Sequence, residues 1–280
     1  MTKSSRAMHY WGQQSLLYLL FGLYGLGVLY PLWLMILSSF KSSREIFSSP
    51  FALPQRWQFS NYLDAWSQGN FTVYFGNSVF VTLTSLLLVL VLGSLAAYPL
   101  GRYAFRGKRW LMMYFLAGLM LPLRLGILPL FFLMRWLGLF NTPWALICIY
   151  VASAMPFSIF VLANFFETIP KELEEAARID GANELRIYAQ VMMPLMRPAL
   201  ATVTIFNVVP WWNDFFFPLI FIRAERYKTL PLGLFSFFGE HQNNWALLFA
   251  GLTITALPLL VAYALASKHI VRGLTSGALK

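Results

Sequence analysis

Long apolar runs alternate with short polar stretches along most of this chain. A helix that crosses a bilayer needs about 20 consecutive apolar residues, and runs of that kind occur at six places. They are predicted at about 16–37, 74–100, 110–139, 144–166, 199–222 and 245–266. The third run contains Pro122 and Arg124, so we expect a short span followed by an amphipathic segment there. The pattern predicts an all-α, polytopic membrane protein with six transmembrane helices.

Composition supports this interpretation. Hydrophobic residues make up 59% of the 280 residues and charged residues only 11%, which lies outside the averages for soluble domains. A net charge of +10 would suggest nucleic acid as a partner of a soluble protein. In a chain with long apolar runs, basic loop residues that fix membrane orientation are the better explanation, so we expect no nucleic-acid partner. The single cysteine, Cys148, excludes an intrachain disulfide.

Basic residues also predict how the chain is oriented. The turn "GRYAFRGKRW" at 101–110 carries four of them, and the positive-inside rule assigns it to the cytoplasm. Residues 1–15 are then a cytoplasmic N-terminus, and 16–280 form a single transmembrane domain with a cytoplasmic tail at about 267–280. The first run is too long for a signal peptide and lacks a small-residue cleavage site, so we expect it to be retained.

Two polar loops, 41–70 and 223–244, fall on the outer face in this orientation. Loops of such length usually carry a function. They either dock a partner or simply cover the mouth of a pore.

The stretch 170–198 is charged although it separates two apolar runs. Its acidic residues crowd positions 172–175, the first turn of a predicted helix, where the helix dipole favours anions. Gly181 interrupts that helix, and Asn183 can cap a second one that continues to Pro194. We therefore expect two helices joined at a glycine hinge outside the bilayer.

The tip of this hairpin is predicted to be small and flat. Ala176 and Ala177 expose little side chain beside Gly181, so another backbone could approach closely, and Leu185 belongs to the predicted apolar stripe of the second helix. The residues alone leave two alternatives open. The hairpin is either a knob that fits a second protein or a solvated or interfacial connection.

Several segments resemble a known family. "EAARIDGA" at 175–182, followed by "VMMPLMRPAL" at 191–200, is similar to the EAA loop of the inner-membrane permeases of bacterial ABC importers. "WWNDFFFPL" at 211–219 and the tail "IVRGLTSGALK" at 270–280 resemble the carbohydrate-uptake branch related to the maltose permeases. The resemblance extends over most of the chain, including 77–105.

This resemblance implies a type I ABC importer permease fold in the bacterial inner membrane and a set of partners. Such a permease pairs with a second permease subunit, and an extracytoplasmic substrate-binding protein delivers sugar to it. Its EAA loop, about 167–198 here, docks into a cytoplasmic ABC ATPase dimer that holds ATP and Mg, so no cofactor is expected in this chain. The residues assigned to ATPase coupling by analogy are Glu175, Ala176, Ala177, Asp180 and Gly181.

A substrate path is predicted near the end of the fifth run. Polar residues within apolar spans are costly and by default functional, and Arg124, Asn207, Asn213 and Asp214 are such residues. Trp211 adds an aromatic face, which sugars also need. A helix would bring Asn207, Trp211 and Asp214 onto one face, and we expect that face to line the pathway.

Other interpretations of this region remain open. Asp214 could instead lie at the outer mouth and pair with Arg223 or Arg226, and tryptophans near the end of a span often mark only the membrane interface. The partner permease could also carry most contacts with the sugar.

Enzymatic function is not expected. "GRYAFRGK" at 101–108 has one residue too many between its glycines for a phosphate-binding loop and lacks the Ser or Thr that must follow the lysine. The 3 histidines are far apart, with neither a metal-ligand spacing nor a catalytic triad. The competing function is an ion-coupled secondary transporter, which ordinarily needs an intramembrane relay of ionisable groups.

Overall fold

The computed structural model describes residues 3–237 and 244–278, with only the backbone described at 3–13, 15, 236 and 265–278. Throughout these residues the regular secondary structure is helical, without a β-strand. This confirms the predicted all-α class.

The α-helices vary from single turns to 37 residues. In chain order they are α1 (Lys3–Ser39), α2 (Ser43–Ser48), α3 (Ser60–Gln68), α4 (Phe71–Arg102), α5 (Lys108–Leu119), α6 (Ile127–Trp136), α7 (Pro143–Thr168), α8 (Glu172–Ile179), α9 (Glu184–Arg186), α10 (Met193–Leu195), α11 (Arg197–Trp212), α12 (Phe216–Phe221), α13 (Leu230–Gly233) and α14 (Trp245–Ala278). A π-helix, Ile187–Met192, joins α9 to α10.

Four of the predicted spans form long apolar helices. They are Leu16–Ser39 within α1, all of α4, all of α7, and Trp245–Ala264 within α14. A fifth candidate is the pair Glu184–Leu195 and Arg197–Trp212, which bends by 71°. The chain is therefore a multi-pass membrane protein, while the count of six spans stays a prediction.

The third apolar run is broken as predicted. Helix α5 ends at Leu119 and α6 begins at Ile127, so neither of these helices, 12 and 10 residues long, is a full span by itself. Pro122 lies in the turn between them, where it cannot continue a helix.

The fifth run differs from the prediction. A continuous span at 199–222 is wrong, because α11 ends at Trp212 and α12 begins only at Phe216. Asp214 accepts a hydrogen bond from the Phe216 amide at 3.0 Å, and the Asn213 side chain donates to the Val209 carbonyl at 2.9 Å. Short polar side chains that bond to nearby backbone in this way compete with helix continuation.

The chain divides into two compact units. The first contains residues 1–69 and 234–256, and in it the loop after α1 folds around buried polar groups. The Lys41 ammonium donates to the carbonyls of Ser49 and Pro50, both at 2.9 Å, and Asn61 donates to Ser39 and Lys41 carbonyls. The predicted outer loop 41–70 is thus largely structured; of the loop 223–244, residues 238–243 lie outside the described residues.

The second unit contains residues 70–233 and 257–280, and its core lies where α4 packs along α7. Gly101 permits their close approach, because a Cβ there would lie 2.7 Å from the Ala163 carbonyl oxygen and 2.6 Å from the Phe166 Cβ. Small residues commonly allow such approach between membrane helices. The core buries Ala97, Leu162 and Ala163 beside this contact.

Candidate functional site

The charged stretch folds into two helical arms around Gly181. The Ala182 amide donates to the Ala177 carbonyl at 2.9 Å, and the Gly181 amide donates to the Arg178 carbonyl at 3.0 Å. Gly181 itself has a φ of 81°. This combination is a Schellman motif, in which glycine takes the left-handed position that ends a helix. The predicted helix break at Gly181 is confirmed.

The second arm begins at the predicted cap. The Asn183 side-chain oxygen accepts the Arg186 amide at 2.9 Å, which satisfies one of the free donors at the start of a helix. The helix then continues through the π-helix and α10, which contains Pro194, before the chain bends into α11.

The predicted coupling residues lie together at the tip. Glu175, Ala176, Asp180 and Gly181 are exposed, and Ala177 is half-buried because it packs against the core. This group presents both charge and small side chains to the outside of the chain.

Two apolar side chains beside the tip were not foreseen. Ile179 is 86% exposed and Leu185 is 71% exposed. Of the predicted apolar stripe of the second arm, Met192 is buried but Leu185 is exposed, and Ile187, which lies in the π-helix and outside that stripe, is buried as well. An isoleucine directly before the terminating Asp-Gly pair was the signal available in the sequence.

The base of the hairpin holds a buried ion pair. Arg102 Nε lies 2.7 Å from Glu174 Oε1, and the two side chains are 2% and 6% exposed. The Tyr98 hydroxyl also donates to Glu174 Oε1, at 3.3 Å. Sequence reasoning placed Glu174 only among the dipole-stabilising acids of the first turn, since its partner lies 72 residues away.

An exposed polar cluster links the two arms. Arg178 donates to Glu184 at 2.8 Å, and the Tyr103 hydroxyl donates to Glu184 at 2.7 Å. The bond from Arg178, followed by that from Tyr103, lowers the pKa of Glu184 below its ordinary 4.5, while the same Arg178–Glu184 bond raises the pKa of Arg178. Burial, then the bond to Glu184, raises the pKa of Tyr103 above 10.0. At neutral pH Glu184 is therefore charged and Tyr103 is neutral.

The residues predicted for the substrate path separate into two groups. Asn207 is buried in α11 and donates to the Val203 carbonyl at 2.8 Å and to Ser158 Oγ at 3.4 Å. Asn213 is exposed, and its amide is bonded to Val209 within its own turn. The polar groups of these two asparagines are thus bonded to neighbouring protein groups.

Trp211 and Asp214 instead meet at Tyr150 of α7. The Trp211 and Tyr150 rings stack, with centroids 5.5 Å apart and planes 11° apart. The Tyr150 hydroxyl donates to Asp214 Oδ2 at 2.7 Å. Because Asp214 follows the end of α11, the prediction that it shares a helix face with Asn207 is wrong. Over residues 3–237 and 244–278, no ion pair joins Asp214 to Arg223 or Arg226.

A cavity of about 370 Å³ opens beside this stack. Its polar lining comes from Arg124, Ser153 and Asp214, and its aromatic lining from Tyr150, Trp211 and Phe217. Sequence reasoning singled out Arg124, Trp211 and Asp214 but missed Tyr150, which looks like an ordinary apolar-span aromatic until α7 is placed against α11. The cavity offers hydrogen-bond donors, acceptors and ring faces in one place.

Metal-binding geometry is absent from the part of the chain that the structure describes: no three side chains of the histidine, cysteine, aspartate or glutamate type come together there.

The chain matches known transport proteins over most of its length. Residues 89–276 match the family model described as "Binding-protein-dependent transport system inner membrane component". The chain is 40% identical over 275 residues to the probable ABC transporter permease protein YurM of Bacillus subtilis, covering 98% of this chain and 91% of that protein. It is also 40% identical over 252 residues to the diacetylchitobiose uptake system permease protein NgcG of Streptomyces coelicolor, covering 89% and 83%.

A solved structure gives the same result for the fold. A chain of a bacterial ABC transporter involved in the import of the acidic polysaccharide alginate superposes with a TM-score of 0.82 at 26% identity, covering 96% of this chain and 98% of that chain. The resemblance drawn from the sequence is therefore confirmed, and the protein belongs to the family of binding-protein-dependent transport system inner membrane components, as a permease of an ABC importer.

Proposed function

We propose that this permease imports carbohydrate and that its exposed hairpin couples import to ATP hydrolysis on a separate subunit. The relatives support the substrate class, since one takes up diacetylchitobiose and another imports alginate. The observation that carries the coupling is the exposure of Ile179 and Leu185 beside the small residues at the hairpin tip. Such large apolar side chains at the outermost point of a charged loop are typical of a docking surface.

The partner at the tip is a cytoplasmic ABC ATPase dimer, which holds ATP and Mg. Ile179 and Leu185 would fill an apolar cleft on that subunit, and Glu175 and Asp180 would orient the tip through charge. Ala176, Ala177 and Gly181 would let the two backbones approach. The last part of the tail, 273–280, would be a second contact with the ATPase; helix α14 continues as far as Ala278.

The translocation path forms with a second permease subunit, and an extracytoplasmic substrate-binding protein delivers the sugar. On this chain, Trp211 and Asp214 are the path residues that the cavity favours, together with Tyr150 and Arg124. A sugar ring presents alternating hydroxyl and C–H surfaces, which suit a carboxylate, a guanidinium and aromatic faces. Asn213 would then act mainly by holding the end of α11, and Asn207 by joining α11 to Ser158 of α7.

The orientation follows from the coupling. A hairpin that docks on a cytoplasmic ATPase requires 167–198 on the inner side of the bacterial inner membrane. Six spans would place the basic turn at 101–110 and both termini on the same side. The loop 41–70 is then on the outer side, where the binding protein arrives.

An ion-coupled secondary transporter is disfavoured by the family and by the cavity. A proton or sodium relay needs a series of ionisable groups through the membrane. The cavity offers one carboxylate, Asp214, whose two oxygens already accept hydrogen bonds from Tyr150 and from the Phe216 amide.

The test is co-expression of the chain with a candidate ATPase, second permease and binding protein. The wild-type chain should retain the ATPase through purification. The double variant Gly181→Val, Glu175→Ala should lose it. Asp64→Asn, which removes a carboxylate from α3 in the other unit, serves as the control and should retain it.

Uptake into right-side-out vesicles separates the two mechanisms. Import that requires ATP and survives a protonophore supports the proposal. Import that follows the proton gradient without the ATPase would establish the secondary transporter instead.

A further inference from the structure

Arg102, the last residue of α4, connects the ends of three helical elements. Its Nε contacts Glu174 on α8 at 2.7 Å. Its Nη1 donates to the Phe166 carbonyl at 2.9 Å and the Ile169 carbonyl at 2.6 Å, at the C-terminal end of α7. One buried guanidinium therefore holds the start of the hairpin against both core helices of its unit.

These contacts are difficult to break one at a time. The carbonyls at the end of α7 carry the negative end of the helix dipole, which favours a cation there. Arg102 Nη2 is buried and has no hydrogen-bond partner among the described protein atoms. Without Glu174, the charge of Arg102 would be left with carbonyl acceptors alone, and separating one partner of a buried pair is strongly unfavourable.

The second arm of the hairpin is also tied to α4. The Tyr188 hydroxyl lies 2.7 Å from Ser94 Oγ, and the Tyr188 ring packs edge-to-face on Tyr98 with centroids 5.3 Å apart. The Arg178–Glu184 pair is exposed, and Glu184 also accepts a bond from Tyr103, which directly follows α4. The buried Arg102–Glu174 pair is therefore the most enclosed of the contacts that fix the hairpin to α4 and its C-terminal end.

We infer that the Arg102–Glu174 pair makes the hairpin base, the end of α4 and the end of α7 move as one rigid body, which transmits motion between the ATPase and the membrane helices. This inference rests on the proposed function, in which the ATPase moves the hairpin. Glu174 and Arg102 act as positioning residues: they touch neither sugar nor nucleotide. Glu174 directly precedes the predicted coupling residues, so it ties that surface to the transmembrane core.

The direct test is a distance measurement across the link. Leu173 on α8 and Leu95 on α4 are exposed by 43% and 48%, so spin labels can be attached after Leu173→Cys and Leu95→Cys in a Cys148→Ser background. The assembled complex is measured without nucleotide and after trapping with ATP and vanadate. With the Arg102–Glu174 pair intact, we expect the distance between the two labels to have one narrow distribution. This distribution should be the same without nucleotide and after trapping. A distance that shifts on trapping overturns the inference, because the hairpin would then pivot on α4.

Variants supply the second readout. In Glu174→Gln the distribution should broaden, and stimulation of ATP hydrolysis by the binding protein should fall roughly fivefold or more, the low end of couplings between distant sites. The ATPase should still copurify, since the tip is unaltered. Arg102→Lys should act in the same direction, because an ammonium lacks the planar fork that reaches all three acceptors.

Lys108→Gln is the matched control. It breaks the exposed pair between Lys108 on α5 and Glu167 on α7, whose atoms are 3.0 Å apart, and it should leave distance and stimulation as in wild type. Glu174→Gln with native stimulation and a narrow distribution would contradict the inference. If the ATPase fails to bind even wild type, the proposed coupling fails first, and the inference fails with it.

Discussion

The Tyr150 hydroxyl donates to Asp214 Oδ2 at 2.7 Å, while the Tyr150 ring stacks on Trp211. One tyrosine of α7 thus orients both the carboxylate and the aromatic face that border the cavity. We predict that Tyr150→Phe lowers sugar uptake by roughly five- to tenfold, as expected when one hydrogen bond worth about 1 kcal/mol is lost. Asp214→Asn, which keeps the shape and removes the charge, should have at least this effect.

Uptake of a radiolabelled disaccharide retained by the cognate binding protein measures this change. ATPase association should be unaltered in both variants, since neither residue lies on the hairpin. Asn164→Ala is the control: its exposed side chain lies on the same helix and donates to the Phe160 carbonyl within that helix. Normal uptake in Tyr150→Phe would remove the cavity from the proposed path.

The contact between α4 and α7 gives a prediction with a control in the same helix. In Gly101→Ala the new methyl would lie 2.7 Å from the Ala163 carbonyl oxygen. This oxygen belongs to the backbone of α7, so moving it away costs more free energy than moving a flexible side chain. We expect a loss of roughly 1–3 kcal/mol, the usual cost of overpacking a core. Gly76→Ala meets nothing within 4 Å, so it should be neutral or gain up to about 1 kcal/mol from helix propensity.

Thermal unfolding in detergent compares the two glycine variants. The midpoint should fall for Gly101→Ala and stay or rise for Gly76→Ala. Equal midpoints would mean that α4 and α7 separate enough to accept a methyl group.

The sequence predicted much of this fold because apolar run length and glycine chemistry are local signals. The spans of α4 and α7, the break near Pro122 and the turn at Gly181 follow from such signals. Such local signals fail to predict the end of α11. The apolar run continues through 199–222, but the side chains of Asn213 and Asp214 bond to nearby backbone and end the helix.

The missed residues depend on tertiary contacts. Arg102 and Glu174 are 72 residues apart, and each has an adequate local explanation, as a basic loop residue and as a dipole-stabilising acid. Tyr150 gains its role only from α7 lying beside α11. The buried position of Ile187 lies in the π-helix, whose register a 3.6-residue periodicity does not include.

The left-handed backbone at Gly181 makes the hairpin turn sensitive to substitution. Its φ of 81° is strained for any residue with a Cβ, although a Cβ there would meet nothing within 4 Å. Gly181→Val should therefore cost about 1–2 kcal/mol through backbone strain, and Gly181→Asn clearly less, since asparagine tolerates this region. Hydrogen exchange of the amides in 172–195 should accelerate in that order, and ATPase copurification should decline in the same order. Equal exchange in the two variants would exclude backbone strain as the cause.

The Glu184 cluster predicts a pH dependence with a defined sign. The bonds from Arg178 and Tyr103 lower the pKa of Glu184 in the folded chain below 4.5, its ordinary value. A lowered folded-state pKa stabilises the charged form, so the contribution is complete above 4.5 and disappears as the pH falls through the folded-state value. The difference in thermal unfolding midpoint between wild type and Glu184→Gln should therefore be constant from about pH 8 to about pH 5 and should shrink below about pH 4.5.

Carbon NMR of labelled glutamate checks the cause: Arg178→Gln should return the Glu184 pKa towards 4.5. A difference that grows on acidification would mean that Glu184 is held protonated, contrary to the geometry of its two donors.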